Sequence, residues 1–267
     1  MGKYTAQPAS VELGRPLTQL CMQRAASPRE HAGMFEIWIS MPKEVSPMAG
    51  KLIVFEGTDG SGKSTQFQLC CQALTEAGRE FRTTVYPRYR EESSALVRMY
   101  LGGAFGSHPD DVNAYAASTF FAVDRYAGYK QEWGAYYEAG GLMVMDRYTT
   151  SNAVHQASKL PQAQREGFFH WLFDLEYQRM GLPSPDQVIW LDMPTHLAVA
   201  NLRRREAATH TQADIHEEDN NYLTACAQAA AQAAQLYGWK RIPCVNDQGQ
   251  LRGVEDIHEE IMQLILE

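Results

Sequence analysis

Leu52-Ile53-Val54-Phe55-Glu56-Gly57-Thr58-Asp59-Gly60-Ser61-Gly62-Lys63-Ser64-Thr65 is the stretch on which the fold turns. Its four consecutive apolar residues read as a strand buried on both faces. Gly57 to Ser64 then match GxxxxGK[ST] in full, and a helical pattern near 63–77 follows directly. Strand, loop and helix in that order separate a phosphate-binding loop from an ordinary glycine-rich turn. Its glycines let the amides of Gly57, Gly60, Ser61, Gly62, Lys63, Ser64 and Thr65 curl around one anion, and the helix start adds favourable partial charge. In such a loop Lys63 would bridge the β- and γ-phosphates, and the Ser64 hydroxyl would ligate Mg²⁺.

Outward from this loop, apolar runs alternate with helical patterns. Phe81-Arg82-Thr83-Thr84-Val85-Tyr86, Leu142-Met143-Val144-Met145, Val188-Ile189-Trp190-Leu191 and Arg241-Ile242-Pro243-Cys244-Val245 are the later strand candidates. Helices are expected near 111–138, 162–180, 195–206 and 217–237. This beat predicts an α/β fold, a parallel sheet with helices on both faces. Gly181, with Pro183 and Pro185 beyond it, supplies a helix stop before the fourth strand. Residues 1–47 read as a disordered extension, because Pro8, Pro16, Pro28, Pro42 and Pro47 interrupt any helical period. Residues 35–39 alternate weakly and could add an edge strand. Met48 is a candidate biological start, with the catalytic domain running over 48–267.

The 267 residues carry 24 basic and 32 acidic side chains, a formal charge of −8. That balance argues against a chain whose task is coating nucleic acid, since such binding needs clustered cations. Small anionic substrates remain open if positive charge is local. The five cysteines, Cys21, Cys70, Cys71, Cys226 and Cys244, are odd in number and lack metal-site spacing, which reads as a reduced cytoplasmic protein. No apolar run approaches the roughly 20 residues needed to span a bilayer, so no membrane partner is expected.

A nucleotide loop usually has an acidic partner at the end of a neighbouring strand. Asp146 fits, as does Asp192, but Pro194 follows Asp192 and suits it better to helix entry. A GTPase is disfavoured, because the chain has no Asn-Lys-x-Asp segment. A protein that only senses nucleotide would need no second anion site, yet Arg88 follows the second strand, Arg147 adjoins Asp146, and Arg203-Arg204-Arg205 lie on a later helix. Arginine forks suit phosphate oxygens, and the ends of parallel strands are where ligands gather.

The loop together with Asp146-Arg147-Tyr148-Thr149-Thr150-Ser151-Asn152 resembles the thymidylate kinases, as do Tyr86-Pro87-Arg88-Tyr89, Phe121-Ala122-Val123-Asp124-Arg125 and Gly181-Leu182-Pro183-Ser184-Pro185-Asp186. The likeness runs from about Lys51 to the C-terminus. It implies a P-loop fold with a five-stranded parallel sheet and a short lid at about 206–216, a homodimer packed through helices, and transfer of the γ-phosphoryl of ATP to dTMP with Mg²⁺. It puts Asp59 at the deoxyribose 3′-hydroxyl, Arg88 and Arg147 on the acceptor phosphate, Phe121 stacked on thymine and Arg125 at a thymine carbonyl. The i, i+4 spacing of Phe121 and Arg125 agrees, since both project from one helix face. Asn152 offers a donor and an acceptor for the imide edge.

Two departures bear on this resemblance. His155 stands where many relatives have a tyrosine that crowds the ribose 2′ position, and Asp214-Ile215-His216-Glu217 replaces Asp-Arg-Ile-Glu, so the lid loses an arginine. Gly60 also leaves the loop without the arginine that some thymidylate kinases carry there. The lid is then expected to supply it, and Arg205 is the choice among three arginines that cannot all face one site. The acceptor phosphate is itself the nucleophile, so no histidine is assigned as a base. The alternatives are another nucleoside monophosphate kinase, a deoxynucleoside kinase, or a switch without phosphoryl transfer.

Overall fold

The computed structural model describes residues 50–209 and 220–266. The expectations for residues 1–47, for Met48 and for Asp214 and Glu217 lie outside the described residues, as does the lid from 210 onward.

Five strands, β1 (Lys51–Glu56), β2 (Arg82–Val85), β3 (Leu142–Asp146), β4 (Gln187–Asp192) and β5 (Lys240–Pro243), form one sheet in the order β2-β3-β1-β4-β5. Every neighbouring pair is parallel. The chain moves outward to β2, returns to β3 and crosses β1 to reach β4, so the order reverses at β1. In such sheets ligands collect beyond the carboxyl ends of the strands at the reversal.

The helices are α1 (Lys63–Glu76), α2 (Ala95–Leu101), α3 (Ala114–Gly128), α4 (Gly134–Glu138), α5 (Thr149–His155), α6 (Gln162–Phe173), α7 (Thr195–Thr209), α8 (Asn220–Tyr237) and α9 (Val254–Leu266). The helix expected at 111–138 begins later, because Asn113 caps it: its side-chain oxygen accepts from the Ala116 amide at 2.9 Å. A π-helical turn, Tyr129–Trp133, joins α3 to α4. Another, Asp174–Arg179, extends α6.

Side chains alternate across the strands, so each strand serves two cores. Leu52 and Val54 pack with Met143, Met145, Val188 and Trp190 beneath α6 and α8. Ile53 and Phe55 pack on the other face with Phe67, Cys70 and Leu74 of α1 and Ile257, Ile261 and Ile265 of α9. The sequence reading stopped short of α9, although the isoleucines recur every four residues and trace one helical face. Ile261 is fully buried. Ile261→Ala is expected to destabilise the protein by about 2–5 kcal/mol through the cavity it leaves, read as a lower midpoint in urea unfolding.

Candidate active site

The loop between β1 and α1 turns on glycines. Gly60 and Gly62 have φ of 79° and 85°, the left-handed region that other residues enter at a cost. The loop also lies against α7. A Cβ on Gly60 would come 2.2 Å from the Ala198 carbonyl oxygen. The Asn201 amide donates to the Gly60 carbonyl at 2.9 Å. An arginine at this position would therefore have to displace α7. Gly62 stands at the N-cap of α1 and no side chain caps the helix, so its first amides face the loop.

A cleft of about 270 Å³ opens beyond the ends of β1 and β3. On one wall, Lys63 Nζ donates to Asp146 Oδ1 at 2.5 Å and Ser64 Oγ donates to Asp146 Oδ2 at 3.4 Å. Burial and the nearby Arg147 lower the Lys63 pKa, with Asp146 opposing. Arg147 follows β3 with φ of 69°, unusual for a residue with a side chain. Its amide still donates to the Phe55 carbonyl at 3.1 Å, which continues the β1·β3 pairing by one residue. Nη2 of its guanidinium donates to Asp59, and Nη1 meets His155 Nε2 at 2.7 Å. Burial would lower the Arg147 pKa, but Asp59, Glu56 and Asp146 together outweigh it and hold the group above its ordinary range.

Glu56 lies beneath this cluster, fully buried at the end of β1. Its Oε1 accepts from the Thr150 and Ser151 hydroxyls, each at 2.6 Å. Burial raises its pKa, and Arg147 and the two hydroxyls partly offset that.

Phe121, Arg125, Asn152 and His155 line the same cleft as Asp59, Lys63, Ser64, Asp146 and Arg147. Phe121 meets Tyr100 edge-on, with centroids 6.2 Å apart. Arg125 is almost wholly buried and forms a two-pronged pair with Glu176, 2.6 Å on each prong. The Thr149 hydroxyl donates to the same carboxylate at 2.8 Å. Asn152 Nδ2 donates to the Ser118 carbonyl at 3.2 Å.

Arg88 departs from expectation. It is not among the cleft's lining residues. Its guanidinium donates to Asp124 Oδ1 at 3.2 Å, to Ser93 Oγ at 2.8 Å and to Glu132, and it borders a shallow groove beside β2. Two carboxylates already within reach hold it there; the sequence placed Arg88 at the end of a strand but gave no sign of Glu132. Arg205 is exposed near the end of α7 and does not line the cleft either.

The sequence of the thymidylate kinase family matches this chain over residues 55–261. The chain belongs to the thymidylate kinase family. It is 32% identical over 205 residues to the thymidylate kinase of Mycobacterium tuberculosis (strain ATCC 25618 / H37Rv), covering 75% of this chain and 94% of that one. To the thymidylate kinase of Nostoc punctiforme it is 29% identical over 219 residues, covering 82% and 98%. A third, from Cyanothece sp. (strain PCC 7425), is 32% identical over 170 residues, covering 59% and 70%. As a member of a kinase family the chain is an enzyme.

Glu56, Glu176 and Gln156 bear on this kinase's site without a role assigned from the sequence. Glu56 and Glu176 meet their partners 94 and 51 positions away in the chain, where no local spacing can show them. Gln156 also lines the cleft, only 1% exposed, and neither its Nε2 nor its Oε1 has a hydrogen-bond partner. The Arg125–Glu176 pair gives a stability test. Glu176→Leu strands a buried guanidinium and is expected to cost about 3–5 kcal/mol, whereas adding Arg125→Met should recover most of that loss. Urea denaturation of the single and double variants distinguishes this from two independent losses.

Proposed function

We propose that this enzyme transfers the γ-phosphoryl group of ATP to dTMP, giving dTDP and ADP. The observation that carries the reading is the Gln156 amide, buried without a partner in the cleft that also holds Lys63 and Arg147. An unpaired buried amide is costly, and a base with an imide edge supplies both the donor and the acceptor that it lacks. Asn152 and Gln156 then read the pyrimidine edge, Phe121 takes its face, and Arg125 approaches a ring carbonyl.

The donor phosphates sit on the Gly57, Gly60, Ser61, Gly62, Lys63, Ser64 and Thr65 amides, with the Lys63 ammonium on their charge. Asp59 accepts from the sugar 3′-hydroxyl, and Arg147 grips the acceptor phosphate. An oxygen of that phosphate attacks the γ-phosphorus, and the bond to the β,γ-bridging oxygen breaks as ADP leaves. The acceptor is already ionised at neutral pH, so catalysis is alignment and charge neutralisation.

Mg²⁺ accompanies ATP in this reading, held by Ser64 and Asp146. Two hard oxygen donors 3.4 Å apart suit it, and among the described residues there is no cluster of three His, Cys, Asp or Glu to build a protein cage. A cation that keeps waters and phosphate oxygens as its other ligands fits such a sparse set. When bound it would neutralise charge on the donor phosphates.

The crowded Gly60 supports a transition-state arginine from the lid, for which Arg205 remains the choice. Arg88, paired with Asp124 and Glu132, would reach the acceptor phosphate by exchanging those partners. A homodimer belongs to the same reading, supported by exposed Tyr115, Val123 and Tyr126, which share one face of α3. So does a cytoplasmic location, supported by the free thiols of Cys70, Cys71, Cys226 and Cys244. Among the described residues no helix is long and apolar enough to cross a membrane.

ADP release measured with ATP and a panel of acceptors is the direct test. dTMP is expected to exceed other monophosphates and thymidine itself, and thymidine in first place would overturn the acceptor assignment. Folded Lys63→Ala is expected to lose about 100- to 1000-fold in kcat. Gln156→Leu should raise the KM for dTMP about tenfold or more with the KM for ATP unchanged. In the lid, Arg205→Ala should lower kcat with little change in dTMP affinity. A larger kcat loss in Arg203→Ala or Arg204→Ala would move that role to the other arginine.

A further inference from the structure

His155 carries more than the space-filling role its position suggests. Its ring lies between the cleft and α8, only 8% exposed. Arg147 Nη1 stands 2.7 Å from His155 Nε2. A guanidinium can only donate, so Nε2 must present its lone pair and the ring proton must sit on Nδ1. Behind the ring, Nδ1 faces the Tyr222 hydroxyl at 3.4 Å and Cys226 Sγ at 3.7 Å. The Tyr222 hydroxyl donates to the His155 carbonyl at 3.0 Å, which leaves its oxygen turned to accept from Nδ1. With the imidazole neutral and in this tautomer, Arg147 Nη1 and the Nδ1 hydrogen each meet an acceptor.

We infer that His155 is the positioning residue of the acceptor-phosphate arginine, its Nε2 lone pair fixing one prong of Arg147 while Asp59 fixes another. The inference rests on the proposed role of Arg147. It follows from two demands on that guanidinium. On the proposed reading Asp59, whose Oδ1 accepts from Arg147, also accepts from the sugar hydroxyl, so this anchor is shared with the acceptor. The imidazole meets the other prong from the α5 side, so the fork stays aimed while Asp59 serves two donors. A tyrosine in this place has no comparable lone pair in a ring edge held from behind.

The test compares His155→Phe, which removes the lone pair and keeps the ring, with His155→Gln, whose carbonyl oxygen can accept but does not titrate. Steady-state kinetics with ATP and dTMP are combined with equilibrium binding of dTMP and of thymidine, which lacks the phosphate. His155→Phe is expected to raise the KM for dTMP about 10- to 100-fold while thymidine affinity and the KM for ATP stay as in the wild type. His155→Gln should restore the KM for dTMP to within a few fold. Parallel loss of dTMP and thymidine binding, or failure of Gln to rescue, would each overturn the inference. So would easier use of the 5-methyluridine monophosphate acceptor with dTMP unaffected, the mark of a group that only crowds the sugar. If His155→Phe does not fold, His155→Met, which likewise offers Arg147 no strong acceptor, takes its place under the same criteria. A wild type with no acceptor-dependent ADP release would instead overturn the proposed function.

Discussion

One half-buried guanidinium, Arg147, organises the ends of β1 and β3. Asp59, Glu56 and Asp146 surround it, and their charge outweighs burial and holds its pKa above the ordinary range. Its left-handed backbone, φ 69°, costs on the order of 1–3 kcal/mol and persists only because the surroundings fix it. Those surroundings come from three segments: the phosphate loop through Asp59, β1 through the Phe55 carbonyl and α5 through His155. Moving the loop separates Arg147 from its carboxylate, and moving α5 takes away the imidazole.

Glu56 binds the same segments from below. It precedes the phosphate loop directly in the chain, and through Thr150 and Ser151 it holds the first turn of α5, the helix that carries Asn152 and His155. The loop that would carry the donor and the helix that would face the acceptor are therefore referenced to one carboxyl group. The parallel sheet makes this possible. With every strand pointing the same way, residues as far apart in sequence as Asp59, Phe121 and Asn152 come to the same edge.

The sequence disclosed most of this wherever the chemistry has a local signature. The loop is contiguous and its glycines are interpretable one by one. All five strands stand where apolar runs were found, and the Phe121/Arg125 pair faces one cleft as its helical spacing requires. Legibility ended where a partner is distant. Nothing near Arg88 in the chain reveals its partner Glu132, and Glu176, the partner of Arg125, lies 51 positions away. α5 was invisible for a different reason, since seven residues are too few to show a helical period. α9 was visible and overlooked.

That last helix shapes how the protein comes off the ribosome. Its isoleucines cover the face of β1 opposite α8, and Lys51 at the start of β1 donates to the carbonyl of Ile265, 214 positions later. Gln66, one turn into the helix behind the phosphate loop, donates to the Val254 carbonyl at the start of α9. A nascent chain can assemble the other core once α8 has emerged, yet on the opposite face Ile53 and Phe55 have α1 alone over them until α9 follows. Contacts of such sequence separation form slowly, because the chain entropy is lost before they reward it. The strand that leads into the phosphate loop is thus the first to be synthesised and among the last to be enclosed, and in that interval this apolar face is the one most open to chaperones and to other unfinished chains.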